Sequence, residues 1–306
     1  MHRSTTEERI VIGISSCLLG EPVRYNGGHK RDRYITETLD KYFDFQPFCP
    51  EVAIGLGVPR PTIRLEQTGT LPVAVVTETG RDVTAQLDNY GREIGTRINH
   101  ISGYILKSRS PSCGMERVKV FDKNGVPSAN GSGIYARALM ECQPLLPVEE
   151  EGRLNDPELR DNFLMRVFIY HRWQSLNRKA FSIGDLVQFH TEYKYLIMAH
   201  DQNVMRELGR LVANAKDNME TTADSYIVKL MQALGKPAKR SNHVNVLQHI
   251  AGFFKDVLDD DDREELNRSI EAYRQEEIPI IVPMTLIRHH LRKNPNSFLQ
   301  EQHYLS

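Results

Sequence analysis

The chain has 306 residues, of which 39 are Lys or Arg and 40 are Asp or Glu, so its formal net charge is −1. A near-neutral chain has no overall electrostatic attraction for nucleic acid. The chain has no run of about twenty apolar residues, so no membrane span is predicted. Four cysteines without an export signal predict a cytoplasmic protein whose thiols are reduced and available for metal binding or catalysis. The length predicts two domains.

Strands and helices alternate through the first half of the chain. Short β-branched runs predict buried strands, and the apolar spacing over residues 83–98 predicts a helix with Thr84 as its N-cap. This alternation is typical of an α/β fold with a central, mostly parallel sheet. The predicted strands are Ile10–Ile14, Leu71–Thr77, Ile101–Lys107 and Arg117–Asp122.

A connection between two domains is predicted over residues 143–152, where prolines, a glutamate run and a glycine follow one another. We place the boundary near residue 150, which gives domains 1–150 and 151–306. Helical spacing takes over beyond it and predicts an all-α second domain. Its signals are a capping box at Ser182 and Asp185, helices over Ala223–Leu234 and Ser241–Leu258, and Pro283 in the first turn of a final helix.

Three cysteines share one kind of position. Cys17, Cys49 and Cys113 each follow a strand-like apolar run and precede a loop with Gly or Pro. The carboxyl ends of strands in an open α/β sheet share one edge, where ligands bind, so these thiolates are predicted to converge on a metal centre with an open position. Cys142 ends an apolar helical segment, and we predict a structural role for it.

The choice of metal follows from ligand type and spacing. The sequence has no Cys-x-x-Cys pair, the usual element of a structural zinc site. Widely separated thiolates can hold an iron-sulfur cluster, and three of them leave one iron open for substrate. The alternative is a non-catalytic interaction module with a closed four-ligand zinc site that includes Cys142.

Several segments around these cysteines form a recognisable pattern: Ser15–Gly20 with Val23–Gly28, Phe48–Glu51 with Gly55–Arg60, and Leu106–Gly114. Together they resemble the thiouracil desulfidase (TudS) family. In the second half, Leu186–Thr191 and Asn245–Ile250 resemble the YbgA-type helical domain. The combination of the two resembles the two-domain desulfidases of 4-thiouridine in tRNA.

The resemblance implies a [4Fe-4S] cluster held by Cys17, Cys49 and Cys113, with a unique iron that accepts the thiocarbonyl sulfur of the substrate. It implies conversion of 4-thiouridine in tRNA to uridine, with hydrosulfide as product and no net redox change. A desulfidase of free bases such as 2-thiouracil remains an alternative. A sulfurtransferase that uses the same open iron is another.

The resemblance also suggests roles for individual residues near the cysteines. Glu51 is the candidate general acid and base, because water attack on the ring carbon needs a base and ring-nitrogen protonation needs an acid. Ser110 and Ser112 are candidates for positioning the base or the water. The predicted substrate-binding residues are Arg24, Tyr25, Asn26 and Ser108, with Tyr25 stacking on the base and Asn26 reading its edge.

A basic segment in the second half is the candidate tRNA-binding surface. It lies at a loop-to-helix junction, where cations and the free amides of a helix start suit phosphate. An ordinary solvated basic loop is the alternative. The residues are Lys236, Lys239, Arg240 and His243.

Overall fold

A computed structural model describes residues 9–177, 181–215 and 218–306 of the protein. The chain forms two compact units, the first ending at Ser175 and the second beginning at Leu176. The segment 143–152, predicted to be a domain connection, contains a strand of the first unit. The assignment of separate functions to 1–150 and 151–306 stays a prediction.

Two four-stranded sheets form the first unit. The first sheet has the order β2-β1-β5-β8, and all of its pairs are parallel. The second has the order β4-β3-β6-β7, with β3 and β6 parallel and the outer pairs antiparallel. The predicted α/β fold with a mostly parallel sheet is confirmed. The strands are β1 (Ile10–Ser15), β2 (Phe43–Phe48), β3 (Ile63–Gln67), β4 (Pro72–Val76), β5 (Gly103–Leu106), β6 (Val118–Phe121), β7 (Pro127–Gly131) and β8 (Val148–Glu150).

Strand β1 lies at the centre of the first sheet. It pairs with β2 along its whole length, up to Ser15 opposite Phe48, and with β5 on its other side. Ile12 and Ile14 are fully buried. A Cβ at Gly13 would lie 2.4 Å from the Tyr104 ring, so the close approach of β1 and β5 requires glycine there.

Helices cover the sheets of the first unit. Helix α4 buries Phe163 and Val167 in the same cluster as Ile12. The predicted N-cap Thr84 is wrong: Val83 precedes the helix, and the Thr84 hydroxyl instead accepts a hydrogen bond from the N–H of Ala74. The helices that begin in this unit are α1 (Pro50–Ala53), α2 (Thr84–Arg97), α3 (Ile134–Cys142) and α4 (Pro157–Asn177), with a short π-helical turn at Tyr34–Thr38.

The described part of the second unit consists of helices and their connections, as predicted. The capping box of Ser182 and Asp185 is confirmed at the start of α5. Helix α8 ends at Ala251, earlier than the predicted Leu258, and a 3₁₀ turn follows it. The helices are α5 (Ile183–His200), α6 (Gln202–Ala213), α7 (Met219–Leu234), α8 (Arg240–Ala251), α9 (Asp260–Arg274), α10 (Ile281–Lys293) and α11 (Ser297–Gln300). Among the described residues, no helix is long and apolar enough to cross a bilayer.

Helix α3 is anchored to the loop that carries Cys113. The N–H groups of Ile134 and Ala136 donate to the carbonyls of Pro111 (3.1 Å) and Ser112 (3.0 Å). These bonds satisfy amides that a helix start otherwise leaves without partners. Gly133 precedes the helix, and a Cβ there would lie 2.4 Å from the Ser112 carbonyl oxygen.

The change Gly133→Ala is therefore expected to lower the free energy of unfolding by about 2 kcal/mol, because the methyl group overlaps backbone rather than a movable side chain. Urea denaturation of the metal-free protein measures this change. Gly252→Ala is the matched control, since a Cβ at Gly252 has no neighbour within 4 Å. Equal effects of the two changes would contradict the close packing of Gly133 on the cysteine loop.

Candidate metal centre

The three predicted cysteine ligands line one cavity of about 640 Å³ in the first unit. Cys17 lies in the 3₁₀ turn that follows β1, and Cys49 directly follows β2. Cys113 lies in the loop that follows β5. The three preceding strands are neighbours in the parallel sheet, so their carboxyl ends bring the thiols to the same edge.

The environment of these thiols opposes their ionisation. Burial raises the pKa of Cys17 to about 11, and it also raises the pKa of Cys49 and of Cys113. The charge of Cys49 acts on both of the other thiols in the same direction. Three thiolates in such a place need a bound cation to offset their charge, and a metal that prefers soft sulfur ligands fits this donor set.

Clusters and single metal ions differ in the donor spacing that they need. Among the residues that the structure describes, no three His, Cys, Asp or Glu side chains are close enough together to ligate one metal ion. The thiolates of a cluster bind different irons and therefore lie farther apart than the ligands of one zinc ion. Cys142 does not line the cavity, and its Cβ packs against Gly95.

Glu51 is held from two sides at the cavity wall. Its Oε1 accepts a hydrogen bond from the Ser112 hydroxyl at 2.6 Å, and its Oε2 accepts from Nε and Nη2 of Arg60, both at 2.8 Å. The Arg60 side chain is 3% exposed, and its Nη1 also donates to the Gly57 carbonyl. Glu51, which the sequence predicted to lie near the thiols, is thus held in place by Arg60, which the sequence did not identify as a site residue.

The serines of the cysteine loop differ in their bonding. Ser112 is fully buried, and its hydroxyl lies 3.7 Å from the Cys113 sulfur as well as beside Glu51. The Ser110 hydroxyl lies 2.9 Å from that of Ser112 and accepts from the N–H of Cys113 at 3.1 Å. Ser112 therefore contacts the carboxylate directly, whereas Ser110 contacts it through Ser112.

The predicted substrate-binding residues do not all reach the cavity. Arg24, Tyr25 and Ser108 line it, and the Arg24 guanidinium lies 5.3 Å from the centre of the Tyr25 ring, which is 41% exposed. Asn26 is outside the lining, and its side chain accepts from the N–H of Gly28 within its own loop. The Ser108 hydroxyl donates to Glu151 at 2.7 Å, so it is engaged with the protein.

Sequence reasoning missed two cations of the site. Arg60 ends the segment Gly55–Arg60, which carried the family resemblance but no predicted residue role, and Lys107 directly follows β5 beside the predicted ligands. Lys107 follows a predicted strand end, as the cysteines do, and this position could have identified it as a residue of the site. The cavity wall is cationic overall, since seven of its lining residues are Arg or Lys and three are Glu.

The predicted tRNA-binding residues of the second unit fall into two pairs. Lys236 and Lys239 are exposed. Arg240 donates to the Tyr273 carbonyl at 2.7 Å and lies over the ring of the same residue, so it joins α8 to α9. His243 bonds Tyr304 at 2.8 Å, and burial lowers its pKa to about 4, so it carries no charge at neutral pH.

Comparisons with known proteins agree with the two halves of the chain. Residues 12–151 match the sequence model of a family described as 2-thiouracil desulfurase, and residues 194–306 match one described as a protein of unknown function, DUF1722. The chain is 31% identical over 153 residues to the uncharacterized protein YbgA of Escherichia coli (strain K12), and the matched region covers 49% of this chain and 90% of YbgA. It is also 33% identical over 161 residues to the uncharacterized protein YbbK of Bacillus subtilis (strain 168), and that matched region covers 48% of this chain and 99% of YbbK.

A solved structure described as the [4Fe-4S]-dependent thiouracil desulfidase TudS is also similar. The two chains are 33% identical, and their superposition has a TM-score of 0.38. The match covers 52% of this chain and 99% of the solved chain.

Because Arg60 forms a buried pair with Glu51, its replacement is expected to destabilise the protein more than replacement of the nearby Arg64. Arg60→Met leaves a largely buried carboxylate without its cation and is expected to lower the free energy of unfolding by about 3 kcal/mol. Arg64→Met is the control, because Arg64 pairs with Glu66 at a more exposed position, and its loss is expected to cost less than about 1 kcal/mol. Urea denaturation of both metal-free variants measures the difference, and equal losses would refute the importance of the buried pair.

Proposed function

The chain belongs to the 2-thiouracil desulfurase family through residues 12–151, and on that premise we propose that it is an iron-sulfur desulfidase that replaces the thiocarbonyl sulfur of a pyrimidine with oxygen. The observation that carries the proposal is the convergence of three thiols, two of them buried and one partly buried, on one cavity beside a carboxylate held by Arg60 and Ser112. The reaction consumes a thiocarbonyl and water and yields a carbonyl, hydrosulfide and a proton. No electrons are exchanged.

The thiolates of Cys17, Cys49 and Cys113 are the proposed ligands of a [4Fe-4S] cluster. When bound, such a cluster supplies one open iron as a Lewis acid for the thiocarbonyl sulfur, which makes the ring carbon more susceptible to water. The Ser15 and Ser112 hydroxyls bond the Cys113 sulfur and favour its thiolate form. These serines therefore support the ligand that is most deeply buried.

Glu51 is the proposed acceptor of the proton that the attacking water releases. A carboxylate oxygen has two lone-pair positions, and both positions of Oε2 are used by the two N–H groups of Arg60. Oε1 accepts one hydrogen bond, from Ser112, and retains one position. The proton is therefore expected on Oε1, from which it can pass to the ring nitrogen or to the departing sulfide.

We propose 4-thiouridine in tRNA as the substrate, with a free thiolated base such as 2-thiouracil as the alternative. The exposed ring of Tyr25 can stack on a base, which suits either substrate. The cationic wall favours a substrate with phosphates, because Arg109 and Arg117 are exposed and line the cavity. In the second unit, Lys236 and Lys239 remain the proposed tRNA contacts.

The first experiment measures iron and acid-labile sulfide in protein purified without oxygen. About four irons per chain are expected, with loss of the cluster in Cys17→Ala, Cys49→Ala and Cys113→Ala. Cys142→Ala is the matched control and is expected to retain the iron, because Cys142 does not line the cavity. Zinc in place of iron, or loss of metal in the control, would instead support the closed four-ligand site.

The same preparations test the chemistry. Release of hydrosulfide from thiolated tRNA and from free 2-thiouracil is measured for the wild type and for Glu51→Gln. The variant is expected to retain its iron and to lose activity by a factor on the order of 10² or more, as for removal of an acid-base group. Retained activity would exclude Glu51 as the proton acceptor. Activity on 2-thiouracil without activity on tRNA would establish the free-base alternative.

Binding of tRNA by the second unit has its own test. The double change of Lys236→Ala and Lys239→Ala is expected to weaken tRNA binding and to reduce the slope of log affinity against log salt by about one per lysine. Lys229→Ala is the control, because that exposed lysine is paired with Glu207. An unchanged affinity and slope in the double variant would exclude this surface from tRNA binding.

A further inference from the structure

Lys107 occupies a fixed position beside the cysteine ligands. It directly follows β5, and its backbone N–H donates to the Ser15 hydroxyl at the end of β1 at 2.9 Å. Ser15 in turn bonds the Cys113 sulfur. The Lys107 side chain is 20% exposed, and Lys107 lines the same cavity as Cys17, so the side chain borders the candidate metal centre and lies largely out of water.

All three N–H groups of the Lys107 ammonium have partners within the protein. They are directed to the Ser108 carbonyl at 3.0 Å, the Ser108 hydroxyl at 2.9 Å and Oε1 of Glu151. An ammonium group has three donors and no acceptor, so no N–H remains for a substrate. Lys107 can therefore act on the site through its charge and position, but not as a general acid.

Glu151 binds this lysine and is itself held in place by Ser108. Its side chain is 11% exposed, and it accepts from the Ser108 N–H at 2.7 Å and from the Ser108 hydroxyl at 2.7 Å as well as from Lys107. Glu151 does not line the cavity, whereas Lys107 does. The ion pair is thus oriented with its positive end toward the metal centre.

We propose that Lys107 is a positioning residue that provides the fixed positive charge of the metal centre, offsetting the negative charge of the thiolate-bound cluster, and that Glu151 and Ser108 hold it there. The inference rests on the proposed iron-sulfur function. A cluster bound by thiolates in a partly buried site is stabilised by a nearby cation that cannot move away. The reduction potential of a cluster depends on nearby charge, and this gives a readout independent of turnover.

The test is the midpoint potential of the reconstituted holoprotein, measured by redox titration of its paramagnetic resonance signal. Lys107→Met is expected to shift the potential downward, because it removes a cation and leaves Glu151 as an added negative charge. Glu151→Gln is expected to shift it upward, because it leaves the lysine unneutralised. Lys107→Arg keeps the charge and is expected to stay near the wild type. The control Lys123→Met removes an exposed lysine that does not line the cavity and is expected to do the same.

Opposite shifts in the two variants are the signature of a charge effect. A merely structural ion pair would lower thermal stability in both variants without moving the potentials apart, and unchanged or like-signed potentials would overturn the inference. If Lys107→Met does not fold, the upward shift in Glu151→Gln still decides the question. A wild type that reconstitutes no cluster would instead refute the proposed function, and the two failures are therefore distinguishable.

Discussion

The candidate metal centre depends on the parallel pairing of β1 with β2 and β5. Ser15 lies opposite Phe48 in this register, so that Cys49 directly follows Phe48 and Cys17 lies two residues beyond Ser15. Because side chains alternate between the faces of a sheet, a slip of one residue would move each side chain of β1 to the opposite face and displace Cys17 relative to Cys49. The close contact of Gly13 with the Tyr104 ring fixes the other side of β1, and with it the loop that carries Cys113. Packing and ligand placement are therefore determined by the same contacts.

Charge pairing provides the second constraint on this edge of the sheet. Burial of a carboxylate or a cation is costly unless the partner is also held, and here Arg60 holds Glu51 while Glu151 holds Lys107. Arg60 also binds a second segment of the site, since its backbone N–H donates to the Tyr25 carbonyl at 2.8 Å. One residue thus connects the candidate base-stacking loop to the candidate proton acceptor. Movement of either segment would disturb the other.

The local pattern of the sequence was sufficient for some of these features and not for others. Strand ends are marked by β-branched runs such as Ile10–Ile14, so the convergence of the three cysteines followed from the general geometry of parallel sheets. Strand β2 was anticipated only as the strand-like run before Cys49, without bounds. Strands β3, β7 and β8 were missed, because each has at most five residues and depends on tertiary pairing. The partners of Arg60 and Lys107 could not be predicted, because each ion pair joins segments from different elements. In the second unit, Arg240 and His243 were predicted as phosphate contacts from their place in a basic loop-to-helix junction, which does not reveal their bonds to Tyr273 and Tyr304.

The two carboxylate–cation pairs differ in which member faces the cavity, and this difference separates their roles in the proposed reaction. At the first pair both Glu51 and Arg60 line the cavity, and the carboxylate keeps one lone-pair position on Oε1. At the second pair Lys107 lines the cavity and Glu151 does not, and Oε1 of Glu151 is used by Lys107 and the Ser108 hydroxyl. A proton released in the cavity therefore meets a basic oxygen at Glu51 and a fixed cation at Lys107. The same kind of ion pair can thus orient a base on one side of the site and a charge on the other, because the backbone decides which partner is presented.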